Sequence, residues 1–177
     1  MSESAFPPSD LPAFLRLCEG EWLALRSSLA LAAPSPAAPQ ADDALAEASG
    51  DEEERWHQAE RGELQIAFLT PRSDAEAGGL EIQPPQRPSR RLRFEAGGAF
   101  ASEGDGGSPG VEGLWQLWPD GSLELCLRDG EREIRERLWF TQPNLRLRSS
   151  VEQRADGSPA RASFSSEIRR VRRPPQA

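Results

Sequence analysis

The C-terminal half of the chain alternates between apolar and polar residues with a period of two. In LRLRSSV (residues 145–151), Leu145, Leu147 and Val151 occupy one set of positions, and Arg146, Arg148 and Ser150 occupy the other. This period is that of a β-strand, whose successive side chains point to opposite faces. The same alternation predicts strands over residues 111–118, 122–129, 131–140 and 161–171.

Short turn sequences separate these strands. They are Pro119-Asp120-Gly121, Asp129-Gly130, Pro143-Asn144 and the segment ADGSPA at residues 155–160. Short segments of this kind favour tight hairpin connections. A run of strands joined by tight turns predicts an antiparallel meander, which buries its apolar face most easily by closing into an up-and-down β-barrel. The predicted fold is therefore mainly all-β.

The N-terminal region predicts one helix followed by a strand. Asp10 is a capping residue, and Pro12 stands in the first turn, where proline is tolerated. The helix is expected near Asp10–Cys18. From Glu21 the period changes to two, which places Trp22 and Arg26 on one face of the first strand. Further strands are predicted at 63–70 and 90–96, with a loop over 73–89 and a flexible glycine-rich connector over 97–110.

The length of 177 residues suits a single domain, spanning residues 1–177. One stretch breaks the pattern. Residues 32–54 are rich in alanine, proline, serine and acidic residues and contain no aromatic side chain. Because such a segment has little to bury, it is predicted to be a flexible acidic insertion.

The charge and the reactive residues exclude several classes of function. The net charge is −8, which argues against a nucleic-acid partner. We find no signal peptide and no apolar run of membrane-spanning length, so a cytoplasmic protein without membrane insertion is expected. Cys18 and Cys126 lack metal-ligand spacing and are predicted to be small buried side chains, and His57 is the only histidine. No metal site is predicted.

The two arginines of residues 145–151 leave two alternatives open. Adjacent guanidiniums on one face repel each other unless something anionic neutralises them. On alternation alone, the leucines face the core and the arginines face solvent. If Arg146 and Arg148 point inward instead, they require carboxylates or phosphates in the barrel. On the preceding strand, Glu136 shares a face with Leu138, whereas Trp139 lies on the opposite face.

Three segments carry a resemblance to a known family. ERLWFTQPNLRLRSSV and ASFSSEIRR resemble the C-terminal motifs of CpcS/CpeS-type phycobiliprotein lyases, and FLRLCEGEWLALRSSLALA is similar to their N-terminal motif. The chain departs from the family at Ala24, at Leu29-Ala30 and at Ser165, where the family has serine, a histidine pair and cysteine.

The resemblance implies a lipocalin-like barrel that binds an open-chain tetrapyrrole, a bilin. The two propionates of a bilin would pair with arginines, and its pyrrole rings would stack on tryptophans. Glu136 would be the catalytic residue, as a proton relay or a partner of a pyrrole nitrogen. The residues implied in bilin binding are Arg146, Arg148, Ser150, Arg26, Trp22, Trp115 and Trp139.

The resemblance also implies the reaction and its partners. Such lyases attach a bilin of the phycocyanobilin or phycoerythrobilin type to a cysteine of an apo-phycobiliprotein subunit, whose thiolate is the nucleophile. The bilin is a bound substrate, and no permanent cofactor is expected. A homodimer, or a heterodimer with a related lyase subunit, is a further expectation. Two alternatives stay open: a non-catalytic bilin carrier or chaperone, and a structural protein whose arginines face solvent.

Overall fold

The computed structural model describes residues 6–31, 58–84, 88–104 and 110–171. In this part of the chain, one helix is followed by ten strands. The elements are α1 (Leu11–Cys18), β1 (Gly20–Ala30), β2 (Gln58–Leu69), β3 (Glu76–Gln83), β4 (Arg90–Glu95), β5 (Ala99–Gly104), β6 (Val111–Leu117), β7 (Leu123–Asp129), β8 (Arg132–Gln142), β9 (Leu145–Gln153) and β10 (Pro159–Arg169). The predicted acidic insertion at about 32–54 and His57 lie outside the described residues.

Helix α1 forms where the sequence predicts it. The Asp10 carboxylate accepts a hydrogen bond of 2.8 Å from the Ala13 amide, which satisfies one of the otherwise unpaired amides of the first turn. The buried side chains recur at helical spacing and form one apolar face: Leu11, Phe14, Leu15 and Cys18. The helix is too short to cross a membrane, and no other helix occurs in the described residues.

The ten strands form a closed antiparallel barrel. Each strand pairs with the next along the chain, and β1 pairs with β10 to close the sheet. The closing ladder runs from Trp22 opposite Arg169 to Ala30 opposite Arg161. The predicted up-and-down barrel with one N-terminal helix is therefore confirmed, and its closure leaves no unpaired strand edge between β1 and β10.

The predicted hairpin turns are present. Gly121 has a φ of +78°, a conformation that favours glycine, and the Asp120 carboxylate accepts a hydrogen bond of 3.0 Å from the Ser122 amide. Gly130 and Gly157 also have positive φ, in the turns that follow β7 and β9. The turn chemistry read from the sequence thus joins β6 to β7, β7 to β8 and β9 to β10.

Two glycine-containing segments that were predicted to be loop and connector are strands, so these two predictions are wrong. Residues 73–89 contain β3, and residues 97–110 contain β5. At Gly79 a Cβ atom would lie 2.5 Å from the Leu92 carbonyl oxygen. Glycine there allows the β3 and β4 backbones to approach closely, and it does not mark a loop. In β5, Phe100 is buried and stacks on Phe94, with the ring centroids 5.5 Å apart.

The barrel interior differs between its two ends. Helix α1 packs against β2 and β3 and closes one end. The side chains around it form a single apolar core: Leu11, Phe14, Leu15, Cys18, Trp22, Ile66, Leu80, Ile82, Leu92, Phe94, Phe100, Leu123, Leu125, Leu138 and Phe140. No helix covers the other end in the described part of the chain, and its interior is lined largely by polar and charged residues.

Candidate functional site

The open end of the barrel contains a cavity of about 710 Å³. This volume lies within the range of about 300–1,000 Å³ that is typical of sites for small organic ligands. The charged side chains that line the cavity are Arg26, Arg61, Arg90, Arg148, Arg161, Glu60, Glu136, Glu152 and Glu167. Three serines, Ser150, Ser163 and Ser165, add hydroxyl groups to the wall.

Strand pairing explains why these groups meet. Along β9 the inward positions are Arg146, Arg148, Ser150 and Glu152, in order from the closed end to the mouth. On one side, Arg146 pairs with Glu167 of β10. The other neighbouring strand, β8, directs Glu136 into the same cavity opposite Ser150. The arginines that alternation alone would place in solvent therefore point into the barrel.

Arg146 and Glu167 form a buried ion pair below the cavity. Arg146 is fully buried and Glu167 is 1% exposed. The Arg146 Nε donates a hydrogen bond of 2.6 Å to Glu167 Oε2, and the Nη2 of the same guanidinium also contacts that oxygen. A buried charge is tolerated when it is paired in this way. Arg146 is thus committed to a carboxylate of its own chain and is not among the cavity-lining residues.

Trp22 fixes the position of this pair. The Arg146 guanidinium lies over the Trp22 ring, with its carbon 4.9 Å from the ring centroid, and Arg169 lies 4.3 Å from the same centroid. Both contacts are within cation–π distance. The Trp22 indole N–H donates a hydrogen bond of 2.9 Å to the Cys18 carbonyl at the end of α1. The helix, the first strand and the last two strands therefore meet at this tryptophan.

Arg148 is held much less tightly. Its side chain is 19% exposed, its Nε lies 3.5 Å from Glu167 Oε1, and its Nη1 lies 3.6 Å from Glu136 Oε1. These distances are ionic contacts but exceed normal hydrogen-bond lengths. The buried Nε has no hydrogen-bond partner in the described part of the chain. Arg148 is therefore oriented by two carboxylates, while its planar fork retains donors for a further carboxylate or phosphate.

The ionisation of this cluster follows from its charges. Burial acts to raise the pKa of the Glu167 carboxyl, but Arg148 and Arg146 outweigh it and hold the pKa below its usual range. Burial acts to lower the pKa of Arg148, yet Glu136 and Glu167 raise it overall. Glu167 is consequently ionised at neutral pH, and its carboxylate lies between the guanidinium groups of Arg146 and Arg148.

The structure places the predicted site residues at four locations: in the cavity, below its floor, in the apolar core and on the outer face of β8. Glu136, Arg148, Ser150 and Arg26 line the cavity. The Arg26 Nη2 donates a hydrogen bond of 3.2 Å to the hydroxyl oxygen of Ser163. Trp22 and Arg146 lie together below the cavity floor, so direct contact of Arg146 with a ligand would require its pair with Glu167 to open.

The other two predicted tryptophans lie away from the cavity. Trp115 points inward and packs against the apolar core, and its indole N–H donates a hydrogen bond of 2.8 Å to the Glu95 carbonyl. Trp139 lies on the outer face of β8 and packs against Phe164 of β10, with ring centroids 6.3 Å apart. Neither ring is among the cavity-lining residues.

Six of the nine charged residues that line the cavity were not predicted from the sequence: Glu60, Arg61, Arg90, Glu152, Arg161 and Glu167. Glu167 occupies alternate positions with Ser165 and Ser163 on β10, which gave a weak signal that it shares their face. Its pairing with Arg146, however, depends on the register of two strands. Arg90 lies at the start of β4, and Arg161 near the start of β10, where strand position alone does not distinguish a mouth residue from a solvated one.

The two cysteines have different surroundings. Cys18 is fully buried in α1, and burial raises the pKa of its thiol despite the nearby Arg146. Cys126 is only partly buried, so the prediction that both cysteines are buried is wrong for Cys126. Cys126 pairs with Arg135 across β7 and β8 on the outer face, where alternation turns its side chain away from the cavity. No group of metal-ligating side chains occurs among the described residues.

A closed antiparallel barrel with a helix at one end and a charged cavity at the other is an architecture that can hold a single small ligand. Comparison with known proteins identifies the family. Residues 93–170 match the family described as CpeS-like protein. The chain is 37% identical over 169 residues to "Chromophore lyase CpcS/CpeS 1" of Paulinella chromatophora, an alignment covering 95% of this chain and 92% of the relative. The chain belongs to the CpcS/CpeS family of chromophore lyases.

Other relatives agree with this assignment. "Chromophore lyase CpcS/CpeS 1" of Trichodesmium erythraeum is 41% identical over 76 residues, which cover 43% of each chain. The solved structure of the S-type phycobiliprotein lyase CPES from Guillardia theta has a similar fold, with a TM-score of 0.57 and 18% identity. That alignment covers 90% of this chain and 92% of the other. At this low identity, the likeness concerns the fold.

Proposed function

We propose that the protein binds a bilin in the open-end cavity and promotes its thioether attachment to a cysteine of an apo-phycobiliprotein subunit. The observation that carries the proposal is Arg148, a cation with unused hydrogen-bond donors at a cavity of about 710 Å³. A bilin carries two propionate carboxylates that can accept hydrogen bonds from the unused donors of Arg148, and it has an extended body that a cavity of this volume can enclose. The names of the relatives as chromophore lyases support the same ligand class.

Arg148 is the proposed anchor for one propionate, because it lines the cavity and its fork can donate two parallel hydrogen bonds. Arg161, opposite Glu152, and Arg26, which donates a hydrogen bond to Ser163, also line the cavity and are the candidates for the second propionate. Ser150, on the same inward row as Arg148, supplies a hydroxyl between the anchor and the mouth. Arg146 then acts indirectly, because it holds Glu167 in place beside Arg148.

The proposed reaction needs no nucleophile from this chain. The acceptor's cysteine adds across the exocyclic double bond of ring A of the bilin. A carbon–sulfur bond forms, the carbon–carbon double bond becomes single, and the proton of the thiol ends on the bilin. Glu136 faces the cavity and is the proposed group that carries a proton to or from the tetrapyrrole. The barrel contributes orientation and exclusion of water.

The proposed partners follow from this chemistry. The bilin, of the phycocyanobilin or phycoerythrobilin type, is a substrate that leaves with the acceptor and is not a permanent cofactor. The acceptor is the apo-phycobiliprotein subunit, and a second lyase subunit, identical or related, is a further proposed partner. We place the reaction in the cytoplasm, without nucleic acid and without insertion into a membrane.

A transfer assay tests the proposal and separates a lyase from a carrier. Purified protein, bilin and apo-subunit are mixed, and the bilin absorbance that stays with the subunit after denaturation measures covalent attachment. Replacing the acceptor cysteine by serine should abolish that signal. Glu136→Gln should slow attachment while bilin binding persists. Bilin binding without faster attachment would identify a carrier, and absence of binding would refute both functions.

A matched pair of variants tests the arginine anchor in the same assay. Arg148→Leu should lower both binding and attachment. Arg91→Leu removes an arginine from a surface ion pair with Glu81 on β3 and β4 and should leave both unchanged. Equal loss in the two variants would show that overall charge, and not the cavity, controls the reaction.

A further inference from the structure

Arg90 is a charged residue of the cavity wall to which the proposed function assigns no role. It occupies the first position of β4, and alternation along this strand directs it inward with Leu92 and Phe94. Among the described residues, it is the one side chain that strands β3–β7 contribute to the cavity lining. The other charged groups of the cavity come from β1, β2, β8, β9 and β10. Arg90 therefore supplies the charge on the remaining side of the barrel.

The order of the strands places Arg90 opposite Arg148. In the closed sheet, four strands separate β4 from β9 in one direction, β5 to β8, and four separate them in the other, β10, β1, β2 and β3. Both arginines also line a small, mainly apolar space between the cavity and α1, as does Glu136. The two arginines thus lie at the same depth, at the floor of the cavity, and extend toward it from opposite walls.

The guanidinium of Arg90 is desolvated without being fully compensated. Arg90 is accessible from the cavity, but burial within the barrel lowers its pKa. Glu136 acts to raise this pKa and Arg148 acts to lower it further, and neither residue forms a hydrogen bond with Arg90 in the described part of the chain. Because arginine remains protonated at neutral pH, a hydrogen-bond acceptor beside Arg90 would offset the cost of its burial.

The chemistry of a bilin indicates which acceptor this wall would meet. The two propionates extend from the inner rings B and C, whereas the end rings A and D each carry a lactam carbonyl. When an open-chain tetrapyrrole is coiled, the propionates lie along one edge and the lactam oxygens along the opposite edge. If Arg148 on β9 and either Arg161 on β10 or Arg26 on β1 hold the propionates, the lactam edge faces β4.

We propose that Arg90 binds the lactam edge of the bilin by donating a hydrogen bond to a lactam carbonyl oxygen. The inference rests on the proposed function and adds to it a contact that does not involve the propionates. The ligand then spans the cavity between opposite walls, with one face of its conjugated system toward the apolar floor and the other toward the mouth. Arg90 thereby fixes the end rings, and the acceptor's cysteine reaches ring A from the mouth.

Titration of phycocyanobilin and of its propionate dimethyl ester separates the two kinds of contact. Arg90→Leu should weaken the binding of acid and ester by the same factor, roughly tenfold or more, because both ligands keep the lactam carbonyls. Arg148→Leu should weaken the binding of the acid far more than that of the ester. Arg91→Leu is the matched control, because Arg91 is the next residue of β4 but points outward and forms an ion pair of 2.9 Å with Glu81. Both of its affinities should equal those of the wild type.

Infrared difference spectroscopy of the bound bilin detects the contact itself. A hydrogen bond lowers the stretching frequency of a carbonyl, so the lactam band should lie at a higher frequency in Arg90→Leu than in the wild type. Arg90→Lys retains a charged donor and should keep part of the lowering. Arg148→Leu and Arg91→Leu should leave the band where it is. A general disturbance of the cavity would not produce this pattern.

Far-ultraviolet circular dichroism shows whether each variant is folded, and Arg90→Met replaces Arg90→Leu if the latter does not fold. Equal weakening of acid and ester, together with the higher lactam frequency, supports the proposal. Weakening of the acid alone would make Arg90 a propionate anchor and overturn the proposal, and so would unchanged affinity in Arg90→Leu. A wild type that binds neither ligand would refute the proposed function itself, and with it the ligand that this inference requires.

Discussion

The two ends of the barrel share one sheet but bury opposite kinds of side chain. At the closed end, Phe14 of the helix and Phe94 of β4 are fully buried, and each packs against another phenylalanine ring. At the open end, the same strands direct arginines, glutamates and serines into a water-accessible cavity. The backbone ladder is continuous through both ends, so the difference lies in the side chains alone. The comparison indicates that the closed end stabilises the fold, which leaves the open end available for ligand chemistry.

The Arg146–Glu167 pair lies at the border between the two ends. The side chains of Arg146 and Glu167 are as deeply buried as those of the apolar core. Glu167 nevertheless also contacts Arg148, which lines the cavity. A buried pair contributes little net stability relative to apolar residues, but removal of one partner is costly. We infer that the pair serves the open end by orienting Arg148, at the expense of packing at the closed end.

The largest expected effect is a loss of stability at the closed end. Phe94→Ala removes a fully buried ring that stacks on Phe100 and should lower the free energy of unfolding by about 3–5 kcal/mol. Urea denaturation followed by tryptophan fluorescence measures the change. Ser163→Ala, in the cavity wall, is the comparison and should cost less than about 1 kcal/mol. Similar losses at both sites would contradict the division of the barrel into two ends.

The border pair should show the next largest effect. Glu167→Gln leaves the fully buried Arg146 without a compensating charge and should cost about 3 kcal/mol in the same denaturation experiment. The double variant Arg146→Leu, Glu167→Leu removes both charges and should recover most of that loss. Its bilin affinity should nevertheless stay low, because Arg148 has lost its support. Full affinity in the double variant would show that the pair has no positioning role.

The open end should respond in binding, with little change in stability. Arg148→Leu should weaken bilin affinity roughly tenfold or more, since a hydrogen bond to a charged group contributes about 1.5–3 kcal/mol. Titrating the free acid and the propionate dimethyl ester isolates the contact. The wild type should prefer the acid, Arg148→Leu should lose most of that preference, and Arg148→Lys should keep part of it. Equal affinity of the wild type for acid and ester would exclude Arg148 as the propionate anchor.

The smallest expected effect is the pH dependence of the stability that Glu167 contributes. The folded-state pKa of Glu167 is lowered, so its contribution to stability is complete above the unfolded value of about 4.3 and is lost as the pH falls through the folded value. The stability difference between the wild type and Glu167→Gln should therefore shrink as the pH falls below about 4. Denaturation curves at several pH values measure it. A difference that is constant from neutral to acidic pH would contradict the pairing of Glu167 with the arginines.

The sequence predicts the parts of the fold that local chemistry determines. The capping Asp10 predicts the start of α1, and the turn glycine Gly121 predicts a hairpin, because each acts on its immediate neighbours. Strands β3 and β5 were missed for a related reason. Glycine is usually a local breaker, but Gly79 is required by close contact with a strand that follows it along the chain.

The candidate site likewise contains features that the sequence predicts and features that depend on strand pairing. Alternation correctly places Arg148 and Ser150 on the same face of β9, and it correctly places Glu136 and Trp139 on opposite faces of β8. Each of these predictions depends on the side-chain directions within one strand only. That the arginines point inward, and that Arg146 is committed to Glu167, depends on the pairing of β9 with β10. Such pairing fixes which charges meet, and a pattern within one strand does not contain it.

Because the first strand pairs with the last, the barrel can close only after β10 has been synthesised. During synthesis, β1 emerges early but obtains its β10 neighbour only after residues 159–169 have left the ribosome. Arg169 then donates hydrogen bonds to the carbonyls of Leu17 and Glu19 and fastens the end of the helix. A truncated chain would expose the unpaired edges of β1 and β9. Incomplete translation products should thus be aggregation-prone and readily cleared by proteases.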